Sequence, residues 1–146
     1  METSEVLETS EVLETSEVFR VELPDVFLIG HKMELRTKDF NLWYDKSSNI
    51  IYFEGSLRLN GDSEYAPVLN LLTQVLELNK GEFNWNVRDL EFLNSSGLNM
   101  FYKFVISVRK KGNITMSVCG NRKIAWQDRS LNNLKKFLPT LKLSVD

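Results

Sequence analysis

The chain has one cysteine, one histidine, three prolines and no long hydrophobic run, and each scarcity closes off a class of protein. A single thiol, Cys119, excludes an intramolecular disulfide. With His31 as the sole histidine, there is no Cys/His set for a zinc cluster. Cys119 falls in the strand-like run NITMSVCG and reads as an inert core thiol rather than a nucleophile. His31 reads as a loop residue. The longest apolar runs, such as Val26 to Ile29, are far too short for a bilayer, and no signal-peptide pattern opens the chain. The expectation is therefore a cytoplasmic protein. The sequence also lacks GxGxxG, GxxxxGK[ST] and G-x-S-x-G, and its acidic residues are scattered without a catalytic pair. No enzyme, no cofactor and no metal site is expected.

Charge is distributed unequally between the two ends. Residues 2–19 carry six glutamates and no base, whereas residues 103–142 carry ten Lys or Arg against one acid, Asp128. A basic surface can meet nucleic acid. No helix-turn-helix, zinc finger or RNP-type aromatic motif accompanies this one. It reads as a solvated face turned toward an acidic protein partner, with neither nucleic acid nor membrane among the partners.

What is present begins with a tandem repeat, ETSEVL-ETSEVL-ETSEVF, over residues 2–19. A six-residue period walks the Val-Leu pair around a helix, so no apolar stripe forms. Like charges with few large apolar groups do not bury enough surface to offset the ordering entropy. Residues 1–32 are expected to be a low-complexity acidic extension without fixed structure, and residues 33–146 a single domain.

From residue 40 the periodicity is regular. FNLWYD and NIIYFEGSLRL read as a hairpin across Lys46 to Asn49. A helix capped by Asp62 or Ser63 then runs to about Asn79, with Val68, Leu69, Leu72, Val75 and Leu76 at helical spacing. Phe83, Trp85 and Val87 alternate with polar residues as a third strand, whose phase slips at Asp89-Leu90. A second helix spans about Ser96 to Lys111 and stops at Gly112. Ile114, Met116 and Val118 mark a fourth strand. A third helix, capped by Asp128 or Ser130, carries Leu131, Leu134 and Leu138, and a short last strand holds Leu141, Leu143 and Val145. The expected class is α/β: a mixed sheet of four to five strands with three helices, in the order ββαβαβαβ.

The corner Asn94-Ser95-Ser96-Gly97, where a strand hands over to a helix, carries the functional signal. A helix N-terminus has backbone N–H groups without partners, and the positive end of the dipole welcomes an anion. Phosphate on Ser95 or Ser96 would add charge there without breaking the fold. The plainer reading makes these serines helix caps only. Gly97 keeps the corner small enough for a partner to approach. Of the apolar residues in the helix beyond it, Leu98, Phe101, Val105 and Val108 line one face, and Met100 and Phe104 emerge on another beside the serines. That second face is either covered within the protein or open to a partner.

The order of elements and FNWNVRDLEFLNSSGLNMF (residues 83–101) resemble the STAS domain of bacterial anti-sigma-factor antagonists, over roughly residues 38–146. Those proteins carry Asp-Ser-Ser-Gly or Asp-Ser-Thr-Gly at this corner. The first hydroxyl is phosphorylated by a partner serine kinase and freed by a PP2C-like phosphatase. The resemblance implies Ser95 as that hydroxyl, with Ser96 as a neighbouring second site. Asn94 departs from the usual Asp and removes a negative charge beside the phosphate. Asn94-Ser95 is also similar to the Asn-Thr pairing of SiaC-type regulatory phosphoproteins, which control a diguanylate cyclase, and the chain resembles small cyanobacterial STAS-like regulators. The resulting expectation is a phospho-switch that contacts its partner through Asn94, Ser95, Ser96, Gly97, Leu98, Met100 and Phe104. A constitutive scaffold, or a sensor of a small anion or nucleotide at the same helix terminus, stand as alternatives.

Overall fold

Side chains alternate between buried and more exposed positions along most of this protein's strands. The computed structural model describes residues 26–29, 32–79 and 81–146. In chain order the elements are β1 (Val26–Ile29), β2 (Lys32–Arg36), β3 (Phe40–Asp45), β4 (Ile50–Leu57), α1 (Gly61–Leu78), β5 (Glu82–Leu93), α2 (Ser95–Lys111), β6 (Thr115–Gly120), α3 (Ala125–Ser130), a 3-10 turn (Leu131–Asn133), α4 (Leu134–Phe137) and β7 (Lys142–Val145). The strands stand in the sheet in that same order. The pairs from β1 to β4 are antiparallel and those from β4 to β7 parallel.

The mixed α/β class and the order ββαβαβαβ hold from β3 onward. The sheet has seven strands rather than four to five, because β1 and β2 add a hairpin ahead of the expected set. The boundary expected at Met33 thus falls inside β2. Residues 1–25, with the ETSEVL repeats, and His31 lie outside the described residues. Two helix starts also differ. α1 begins at Gly61, where Glu64 accepts from the Asn60 backbone N–H at 2.8 Å, half of a capping box, so neither Asp62 nor Ser63 is the cap. The third helix starts at Ala125, ahead of Asp128. It tightens into a 3-10 turn that aligns Leu131 with Leu134 over the core, both fully buried.

Right-handed crossovers between sequential parallel strands put the described helices, α1 to α4, on one face of the sheet. Phe53, Phe83, Trp85, Phe101 and Phe104 make the centre of the core beneath them. Trp85 lies 4.7 Å from Phe101 and 5.5 Å from Phe104, ring centre to ring centre. Edge and stacked pairs of this kind add about 0.5–1.5 kcal/mol each beyond their burial. Among the described residues no helix covers the opposite face. It presents half-exposed Trp43, Tyr52, Asn84, Asn86 and Ser117, and Trp43 stacks on Tyr52 at 5.3 Å. Cys119 belongs to this open face and is half-exposed rather than a core thiol, because Met116 and Val118 take the inward positions of β6.

The phase slip in β5 is a double bulge. Pairing steps from Tyr52 with Asn86 to Glu54 with Asp89, then from Gly55 with Leu90 to Ser56 with Phe92, so β5 carries one extra residue at each step. The first bulge turns Leu90 inward. The second returns Leu93 inward and leaves Glu91 and Phe92 outside. Gly55, at φ 94°, takes a conformation that suits glycine, and a Cβ there would run into the Asp39 carbonyl.

Bulges leave ladder groups unpaired, and α3 supplies partners for two β5 carbonyls. Gln127, fully buried, donates from Nε2 to Val87 O at 2.6 Å and Leu90 O at 3.0 Å, and accepts from Asn121 N at 2.7 Å. Trp126 Nε1 also donates to Leu90 O, at 2.9 Å. Gln127→Leu therefore strands a buried carbonyl and a backbone N–H. It should cost about 2–4 kcal/mol, read as a lower urea midpoint with an unchanged m-value.

Candidate functional site

The bulged end of β5 delivers Asn94 to the junction of four elements. Asn94 is the N-cap of α2, in extended conformation, and its Oδ1 accepts from Gly97 N at 2.9 Å. The same oxygen accepts from Tyr65 Oη of α1 at 2.7 Å. Its Nδ2 donates to Leu59 O at 2.7 Å, and its backbone N–H donates to Leu57 O at 3.1 Å. One side chain therefore caps α2, holds α1 and pins the loop that leaves β4.

The two serines beside it differ. Ser95 is exposed, and its hydroxyl meets no partner among the described residues. Ser96 is half-buried and accepts from Gly61 N at 3.4 Å, tying the starts of α1 and α2 together. The backbone N–H groups of Ser95 and Ser96 have no acceptor among the described residues, because Asn94 reaches only Gly97 N, and Leu98 N closes on Asn94 O. Two free donors at the positive end of a 17-residue helix form the anion-favouring tip that the sequence implies.

Several residues expected on a contact face lie elsewhere. Met100 and Phe104 are buried, Phe104 against Phe83 and Trp85, because α2 turns a broader stripe toward the sheet than a single row. Gly97 is also buried. A Cβ there would meet the Leu93 side chain and lie 2.6 Å from Tyr65 Oη, so this glycine admits α1 rather than an outside protein. Leu98 stays half-exposed at the edge of the core. Of the expected set, Ser95, Ser96, Leu98 and part of Asn94 reach the surface.

Sequence reasoning missed two features. Tyr65 gave no signal beyond an aromatic near a helix start. Phe92 is 40% exposed three residues before Ser95, with the Arg58 guanidinium 4.5 Å over its ring. The adjacent pair Phe92-Leu93 in a strand was the available clue, since alternation lets only one of two neighbours face inward.

No protein-family model matches the chain, and no curated protein matches it. Two solved structures of SiaC from Pseudomonas aeruginosa share its fold. One superposes with a TM-score of 0.50 at 12% identity, covering 83% of this chain and 95% of SiaC. The other, of apo-SiaC, gives 0.51 at 11% identity, covering 84% and 98%. The SiaC-type likeness anticipated from Asn94-Ser95 is thus met at the level of the fold.

The Asn94 cluster leads to two expected outcomes. Asn94→Asp keeps an acceptor for Gly97 N and Tyr65 Oη but sets a carboxylate oxygen against Leu59 O. It should lower stability by about 1–3 kcal/mol in chemical denaturation. Burial pushes the Tyr65 hydroxyl up to about 12 from the usual 10.0. The unfolded chain therefore releases this proton first as pH rises. Tyr65's contribution to stability is full below about pH 10 and is lost between pH 10 and 12. Melting curves across that range should fall less steeply for Tyr65→Phe than for the wild type.

Proposed function

We propose that the protein is a non-enzymatic partner-switching regulator whose binding state is set by phosphate on Ser95. The observation that carries this reading is the exposed, unpartnered Ser95 hydroxyl on a helix tip that Asn94 already caps. Ser95 has no structural duty, so its chemistry is free to change while the fold stays intact. The SiaC-like fold supports the regulatory class.

Unmodified, the corner offers a partner Ser95, half-exposed Leu98 and the Phe92–Arg58 pair on the neighbouring rim. Aromatic and arginine side chains are the ones that most often anchor such contacts. Phosphate on Ser95 adds roughly 1.5 to 2 negative charges and three acceptor oxygens at that point. The free N–H groups of Ser95 and Ser96 and the helix dipole let the fold tolerate that charge. A docked partner is displaced by its bulk and desolvation cost. A difference of about 3 kcal/mol changes affinity more than a hundredfold. In this scheme a serine kinase of the anti-sigma-factor type adds the phosphate, a PP2C-like phosphatase removes it, and the partner is a signalling effector such as a diguanylate cyclase.

The test is chemical and then functional. Phosphate-affinity gels and mass spectrometry on protein from native cells should locate phosphate on Ser95. Ser95→Ala should stay within about 1 kcal/mol of wild-type stability and bind the partner constitutively, and Ser95→Asp should release it. If Ser95 carries no phosphate under any growth condition and Ser95→Asp binds like wild type, the corner belongs to a constitutive scaffold. Thermal stabilisation by a nucleotide would instead make it a ligand sensor.

A further inference from the structure

Four cations of the described chain have carboxylate partners: Arg36 with Glu34 at 3.1 Å, Arg88 with Asp146 at 2.9 Å, Lys103 with Asp62 at 3.1 Å and Arg122 with Asp128 at 3.6 Å. The remaining exposed cations meet no carboxylate among the described residues; Lys38, Lys46, Arg58, Lys123 and Arg129 are scattered, whereas Arg109, Lys110, Lys111, Lys135, Lys136 and Lys142 are gathered.

Topology gathers these six away from Ser95. α2 starts at Ser95 and ends at Arg109, Lys110 and Lys111, at the opposite end of the parallel strands. α4, carrying Lys135 and Lys136, descends beside α2, with Phe137 against Tyr102 at 4.8 Å. Lys142 opens β7, paired with Ser117 near the start of β6. The α2 dipole accounts for roughly half a charge at its C-terminus. Three cations exceed that need, and the four-residue α4 and strand β7 have no comparable one. The result is a basic pole, where these six cations and Lys46 outnumber the carboxylates of Asp45, Glu77 and Glu82 at the same end.

We infer that this pole is the intramolecular docking site of the chain's own acidic repeat, residues 2–13. Charge complementarity is the first argument: residues 2–19 hold six glutamates and no base. Length is the second. β1 is an edge strand antiparallel to β2, and the alternation back from β4 places Val26 at the Ser95 end of the sheet. Six gaps of about 4.8 Å across the seven strands and a strand height of about 20 Å make the path to the far corner of the pole about 35 Å on the diagonal and about 49 Å around two edges. At roughly 3.4 Å per residue that takes about 10 to 14 residues. Glu2, Glu5, Glu8 and Glu11 are within reach by either path. A covalent tether sets the local concentration on the order of a millimolar, so pairs that are individually weak act together.

Zero-length carbodiimide cross-linking of the full chain, with peptides mapped by mass spectrometry, tests this directly. In monomeric protein at low salt, Glu2 to Glu11 should link to Lys110, Lys111, Lys135, Lys136 or Lys142. The yield should fall by about fivefold at roughly 1 M salt, where screening is nearly complete. Absence of such links, their confinement to cross-linked dimers, or links chiefly to Lys38 and Lys123 at the Ser95 end would overturn the inference. Anionic phosphatidylserine vesicles and single-stranded DNA supply a second readout. Either should bind appreciably only when the six repeat glutamates are changed to glutamine. Equally strong binding by the unaltered chain would show a pole open to outside polyanions and would also overturn it.

Discussion

The amide of Asn94 is the constraint on which the corner depends. Its oxygen takes two donors, one from the helix it caps and one from Tyr65 on the neighbouring helix, while its nitrogen holds the carbonyl of Leu59. An amide can play both parts because it carries acceptor and donor on one planar group. A carboxylate has only the acceptor. Asparagine at this place is therefore a structural requirement of the loop that leaves β4, as well as one negative charge fewer beside Ser95.

Because Asn94 does the capping, the two hydroxyls after it are divided in function. Ser96 ties two helix starts together, and Ser95 faces solvent with nothing to hold. Beneath them α2 is fastened by rings: Phe101 and Phe104 sit against Trp85, which is itself fully buried. A helix anchored this way transmits little of what happens at its tip into the core. The surface can then change charge at one end while the packing below stays as it is.

Much of the sheet was legible from alternation. Phe40, Leu42 and Tyr44, and Phe83, Trp85 and Val87, all face inward as their spacing implies. The helix boundaries of α1 and α2 follow apolar periodicity and Gly112 to within a residue or two. The hairpin of β1 and β2 was hidden because β1 is apolar at every position and β2, although it alternates, is only five residues long and adjoins an irregular stretch. Met100 and Phe104 misled because helical spacing says which residues share a face, not how many faces a neighbouring helix and a sheet together will cover. Leu131 and Leu134 show the converse: the apolar positions were right, although the helix that carries them is broken by a 3-10 turn. The bonds of Asn94 to Tyr65 and Leu59 span 29 and 35 residues, and no local pattern encodes them.

The paired bulges in β5 carry a consequence for how such a sequence can vary. Each inserted residue reverses which side chains look inward, and two reversals restore the original parity before the chain reaches Leu93. The corner is thus sensitive to the arithmetic of the strand as well as to its chemistry. Losing or gaining one residue between Arg88 and Phe92 would swing Leu93 out of the interior and carry Asn94 away from α1, even with every amino-acid type preserved. Losing both extra residues together would keep that parity. Length changes in this segment should survive in even steps.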